Sequence, residues 1–177
     1  MRKRDGTFRD WDSPAGRFPT LSSDNEKTVV TLRRATWRDC WRLWRWRNHP
    51  STRAMMRHTH RIGVWEHVRW FRAATRDADH RVMVAVAKET AVGSVRLESV
   101  SLAGLVDIDV IVAPRHRGAG HAAIMIACVV DLAGQCGARG CRAVIRLDNL
   151  PSRRAFTRAG FTTKDAVGDW VVMERAC

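Results

Sequence analysis

"VIVAPRHRGAG", Val110–Gly120, runs from an apolar strand into a turn that carries three basic side chains and two glycines. Pro114 has no N–H to donate to a ladder, so the strand must stop there. "HAAIMIACVVDLAG" follows at once, interrupted only by Asp131. It reads as a helix from about Gly118 to Gly134, apolar nearly all round and therefore buried. Strand, glycine turn and buried helix together make an anion site. A helix start presents unpaired N–H groups and the positive end of the macrodipole. Gly118 and Gly120 remove the side chains that would keep a phosphate from those groups, and Arg115 and Arg117 add charge. The loop is built for a phosphate or pyrophosphate; the alternative is a plain structural helix start.

The elements on either side restrict the ligand. "TVVTLRR" (Thr28–Arg34) has the β-branched content of a first strand. Thr36 and Asp39 then form a capping pair before Trp37, Cys40, Trp41 and Trp44, which recur at helical spacing and read as a core-packing stripe. Pro50 ends that helix by excluding helical geometry at His49. A short piece at Ser51–Met56 and a helix near Glu66–Ala74 come next. "RVMVAVA" and "AVGSVRLESV" flank the turn "KET" as a hairpin, and "LVDIDVIV" (Leu105–Val112) continues the antiparallel run. After the buried helix come strand "RAVIRL", helix "PSRRAFTRA" closed by Gly160, and a last hairpin of "FTTKDAV" with "DWVVMER". The fold class is α+β, with a mixed, mostly antiparallel sheet. "GAGHAA" fits the dinucleotide fingerprint G-x-G-x-x-A, but that fold would place it near its start with several βα units to follow. The Gly-Lys-Ser/Thr ending of a nucleoside-triphosphate loop is missing.

Composition removes further classes. The chain of 177 residues holds one sizeable core. Its 45% apolar and 28% charged content is that of a soluble globular protein. No apolar run reaches the ~20 residues of a membrane span, and the basic N-terminus has no apolar stretch behind it. A cytoplasmic location with no membrane partner is expected. The formal charge of +13 invites a nucleic-acid reading. Arginines are scattered over every segment, however, and lysine occurs only at Lys3, Lys27, Lys88 and Lys164. The charge is read as solubility and steering, without a specific nucleic-acid partner. Five cysteines in no zinc-type pairing read as reduced thiols, and no metal site is expected. Residues 1–26 lack periodicity and read as a mobile basic tail, ahead of a single domain at 27–177.

Two motifs resemble the GCN5-related N-acetyltransferase (GNAT) family. The first is an Arg or Gln followed three residues later by Gly, then by Gly or Ala two further on. Arg115, Gly118 and Gly120 match it, directly after the strand end "VIVAP". The second matches at Asn149, Ser152, Gly160 and Phe161, with Phe156 where the family usually has tyrosine. One helix and one strand separate them, as the family requires, and the likeness covers about Thr28 to Arg175. It implies a GNAT-like sheet with a splayed central strand pair and flanking helices. Acetyl-CoA would be co-substrate, its pantetheine arm in the gap between "VIVAP" and "RAVIRL". Val110 and Val112 would pair with that arm by β-augmentation. Arg115, Arg117, Gly118, Ala119, Gly120 and His121 would hold the pyrophosphate, with Asn149 and Phe156 contacting the cofactor beyond the thioester.

Within the family, Trp46, Arg47, Asn48, Glu66, His67, Trp70 and Phe71 resemble one branch. It includes the UDP-4-amino-sugar N-acetyltransferase of pseudaminic acid biosynthesis, and its layout recurs in acetyltransferases of ribosomal-protein N-termini. The resemblance implies an acceptor pocket lined by Arg47, Asn48 and His67; a helix-end hydrogen-bond network is their other reading. A small amine, such as a UDP-amino sugar, would attack the thioester directly. Asp107 and Asp109 alternate onto one strand face, and Asp107 is the base candidate, matching a frequent glutamate of the branch. The chain has no tyrosine at all, so the usual acid is missing. The enzyme is expected as a monomer or homodimer. A protein N-terminal acetyltransferase, and a non-catalytic acyl-CoA- or nucleic-acid-binding module, are the alternatives.

Overall fold

The computed structural model describes residues 20–23, 26–77, 81–101 and 103–177. Eight strands form one sheet in the order β1-β2-β3-β4-β5-β6-β8-β7. These are β1 Thr20–Ser23, β2 Glu26–Arg34, β3 Arg81–Ala87, β4 Thr90–Val100, β5 Leu105–Val112, β6 Gly140–Arg146, β7 Thr162–Val167 and β8 Trp170–Ala176. The helices are α1 Cys40–Asn48, α2 Pro50–Arg53, α3 Val64–Ala74, α4 His121–Gln135 and α5 Leu150–Arg158. Every neighbouring pair is antiparallel except β5 with β6. Those two are joined through α4, and a strand returning by such a crossover lies parallel.

Alternation along β3 builds two layers. Met83 and Ala85 join the core under α4 and α5, while Val82 and Val84 face the opposite layer with Cys40, Leu43 and Phe71. α4 has nine buried residues, the expected all-round apolar helix. It begins at His121 instead of near Gly118, because Gly118 and Gly120 have φ of +80° and +76°, outside helical geometry.

Two readings change. Thr20–Ser23 is a strand paired with β2, within the segment expected as a tail; residues 1–19, 24 and 25 lie outside the described residues. The tryptophan stripe is not all core. Cys40 and Leu43 are buried, but Trp37 and Trp41 stay about half exposed, because α1 packs on the sheet through its narrow Cys40–Leu43 side.

The expected Thr36–Asp39 capping pair is present and carries more than a cap. Asp39 is buried and accepts from Arg33 at 2.7 and 2.8 Å, Arg42 at 2.8 Å and the Thr36 N–H at 2.9 Å. Burial opposes its ionisation, yet the Arg33 and Thr36 bonds outweigh that and hold its pKa down to about 2. A depressed carboxyl pKa stabilises the fold above the unfolded value of ~3.9, and the gain is lost as pH falls through the folded one. Asp39→Ala is expected to cost about 2–3 kcal/mol at neutral pH. In denaturant titrations the gap from wild type should narrow below about pH 4.

Close approach of α4 to the strands beside the site depends on Gly93. A Cβ there would meet Ile111 O and Met125 Cε, each at 2.6 Å. Gly93→Ala is expected to destabilise by about 1–3 kcal/mol, because one obstacle is strand backbone. An unchanged thermal midpoint would contradict that packing.

Candidate active site

The parallel ladder between β5 and β6 is short. Leu105, Val106 and Asp107 pair with Gly140, Cys141 and Arg142, and beyond them the two strands separate. Ala113 N donates to Val92 O, and the carbonyl of Ile111 lies against Gly93, so odd-numbered residues there turn their backbone to β4. Alternation turns the amides and carbonyls of Val110 and Val112 towards the gap. That gap opens into a cleft of about 950 Å³, floored by β5 and β6 and walled by α1–α3 and the α4 and α5 starts.

At one end the cleft meets the glycine loop. A Cβ at Gly118 or Gly120 would meet nothing within 4 Å, so the space beside both backbones is open, a cradle that side chains would fill. Gly118, Gly120, Arg117 and His121 line the cleft. Arg115 and Ala119 are exposed on the same loop outside the lining. The Arg117 guanidinium is engaged by protein groups. It donates to Ser51 Oγ at 2.5 Å and to Thr52 Oγ1 at 2.6 Å, tying the loop to α2. On the facing wall Asn149 caps α5, accepting from Ser152 N at 3.3 Å. Phe156 is buried edge-to-face on Phe161 with ring centroids 4.9 Å apart.

Asp107 and Asp109 both line the cleft, but their carboxylates are held differently. Arg142 grips Asp107 with two bonds, Nε to Oδ1 at 2.6 Å and Nη2 to Oδ2 at 2.8 Å. Asp109 receives only Arg96 Nη2 at 3.3 Å, while Arg96 Nε lies 2.9 Å from Glu98. The Arg96 guanidinium also sits 5.7 Å over the Trp70 ring.

The three expected acceptor residues separate. Arg47 lines the cleft and donates through Nη2 to His58 O at 2.9 Å; burial lowers its pKa. His67 lines it too, but is buried, with Nε2 2.9 Å from Cys40 O; desolvation lowers its pKa more than that bond raises it. Asn48 is outside the lining. Its amide accepts from Ile62 N at 2.8 Å and donates to Ile62 O at 3.0 Å, the helix-end network that was its other reading.

Arg96, Arg142, Ser51 and Thr52 were not singled out in the sequence. Arg96 faces Asp109 across the antiparallel β4–β5 pair, beyond a register shift between Glu98 and Val100 that no local pattern announces. The Arg142–Asp107 contact spans a crossover, and local pattern carries no trace of it.

Residues 30–162 match the model of the acetyltransferase (GNAT) domain, three-quarters of the chain. The chain belongs to the GNAT acetyltransferase family. This GNAT protein is thus an acetyltransferase with acetyl-CoA as co-substrate. Among solved structures it resembles spermidine N-acetyltransferase from Vibrio cholerae in complex with CoA and spermine. That pair is 16% identical over 83% of this chain and 95% of the other, with a TM-score of 0.75. Aminoglycoside acetyltransferase AAC(6')-Ib with coenzyme A gives 18%, 83%, 94% and 0.73. A domain from Methanocaldococcus jannaschii gives 19%, 85%, 99% and 0.71. These likenesses show the same fold. No curated protein is recognisably similar to the chain. The GNAT match singles out no branch of the family. No helix among the described residues is long and apolar enough to cross a membrane.

Proposed function

We propose that this GNAT protein acetylates a small primary amine by direct attack in the β5–β6 cleft. The observation that carries the reading is the strand split: beyond Asp107 the β5 backbone at Val110 has no β6 partner and is open to an extended amide arm, Val112 O meets Arg117 Nε through a long 3.4 Å contact that such an arm can replace, and the glycine cradle stands at its end. The bound thioester supplies an electrophilic carbonyl and a thiolate leaving group. The open N–H groups of the Gly118–His121 turn suit the pyrophosphate, with Arg115 and Ala119 at its outer rim. Arg117 supports the loop through Ser51 and Thr52. Asn149 and Phe156 form the wall beyond the thioester.

For the proton of the attacking amine, geometry favours Asp109 over Asp107. Both oxygens of Asp107 are already engaged by Arg142, which leaves little room for an amine proton. Asp109, with one long contact, keeps lone pairs available to an amine or a bridging water. Asp107 then acts by fixing Arg142 at the apex of the split. Phe156 has no proton to give, so the thiolate takes its proton from water in the cleft. None of the cysteines lines that cleft, which favours direct attack over a cysteinyl intermediate.

Arg47 stands in the acceptor wall, Asn48 fastens the loop that forms it, and His67 packs behind. A nucleotide-linked amino sugar is the acceptor that this arginine-bearing wall suits, and a cytoplasmic location accords with five free cysteines. The test is incubation with acetyl-CoA and a panel of primary amines, with products identified by mass. Acetylated amine supports the reading, and none from any amine defeats it.

A further inference from the structure

We infer that Arg47 is the oxyanion-recognising residue of the acceptor site, so that the acetylated amine carries a phosphoryl or carboxylate group. The inference rests on the acetyltransferase reading for the word acceptor, and on charge pairing in the cleft for the rest. Seven arginines line the cleft against four carboxylates. Each carboxylate already has a guanidinium: Asp107 has Arg142, Asp109 and Glu98 share Arg96, and Asp148 has Arg146. A polycationic amine would have to displace an arginine to find a carboxylate.

Arg47 differs: Asp109 and Glu66 act on it through their charge, but among the described residues neither carboxylate reaches it as an ion pair or hydrogen bond. Among the described residues its one hydrogen bond goes to a neutral backbone carbonyl, that of His58. Its Nη1 is covered by protein and has no partner. Leaving such a charged donor unmatched is costly, and an oxyanion would relieve the cost. Since Arg47 lines the cleft, a small rotation of the guanidinium brings that donor to a bound anion. The planar fork then offers the parallel N–H pair that carboxylate and phosphate accept. Arg47 belongs to α1 and the glycine cradle opens at the start of α4, so the two anion sites use different residues.

The test is calorimetric titration of inorganic pyrophosphate, and separately of malonate, into protein saturated with CoA. One of the two is expected to bind wild type, the tighter one identifying the phosphoryl or carboxylate source. Arg47→Gln should weaken it at least tenfold, about 1.4 kcal/mol, with CoA affinity unchanged. Arg47→Lys keeps the charge and can still reach His58 O but loses the fork, so it should also bind more weakly than wild type. The inference is overturned if neither anion binds wild type, or if either variant binds as wild type does. Binding here is read without turnover. An Arg47-dependent anion site in a protein that acetylates no amine would leave the subsite standing and remove the transferase reading. Acetyl transfer without anion binding would do the reverse.

Discussion

Asp109→Asn is expected to lower kcat by roughly 10²–10⁴, the usual contribution of a positioned general base. The substitution keeps the shape of the side chain and its neighbourhood, since Arg96 retains Glu98 at 2.9 Å. Affinity for acetyl-CoA should hardly change, because Asp109 is on the strand face that carries the acids, not at the glycine cradle. Asp107→Asn removes an acceptor that Arg142 already occupies with two short bonds, so its loss of kcat should be smaller. If the two variants exchange these behaviours, Asp107 is the base and the guanidinium grip does not prevent it.

This distinction shows where sequence reading stops. Alternation along "LVDIDVIV" places both acids on one face, and the family likeness favours Asp107 by position. Neither can see that Arg142, thirty-five residues away, closes on Asp107. That contact exists because a helix crossover brings β6 beside β5 for three residue pairs only. The strand order around the site, the hairpins and the glycine loop were legible because each depends on local chemistry: period-two alternation, a proline stop, glycines at positive φ. β1 was not legible, since Thr20–Ser23 has neither length nor alternation and is fixed by pairing with β2. Asn48 and Arg117 show the same limit on a smaller scale. The family likeness made both ligand contacts, with a helix-end network as the other reading of Asn48; Asn48 makes that network with Ile62, and Arg117 bonds the glycine loop to α2.

Gly120→Val is expected to weaken CoA binding on the order of a hundredfold, about 2.7 kcal/mol. Two effects add. Gly120 caps α4 at φ +76°, a conformation that costs an L-residue about 1–2 kcal/mol and a β-branched one more. The new side chain also enters the open space beside the loop, where a phosphate must meet backbone N–H groups. Gly137 separates these effects. It has φ +81° with equally open surroundings, at the other end of α4 and outside the cleft. Gly137→Val should lower thermal stability about as much while leaving CoA affinity intact. Equal loss of CoA affinity in both variants would mean that the glycine loop acts through helix stability, not as a cradle.

Direct transfer in the split between β5 and β6 is most directly tested by following the acetyl group itself. In quenched-flow mass spectrometry with acetyl-labelled acetyl-CoA and an anionic primary amine, the label should pass to the acceptor nitrogen in one step. The protein should stay unlabelled at every time point, and release of free acetate should be slow by comparison. Label accumulating on the protein before product, or remaining on CoA with every amine offered, would contradict the account.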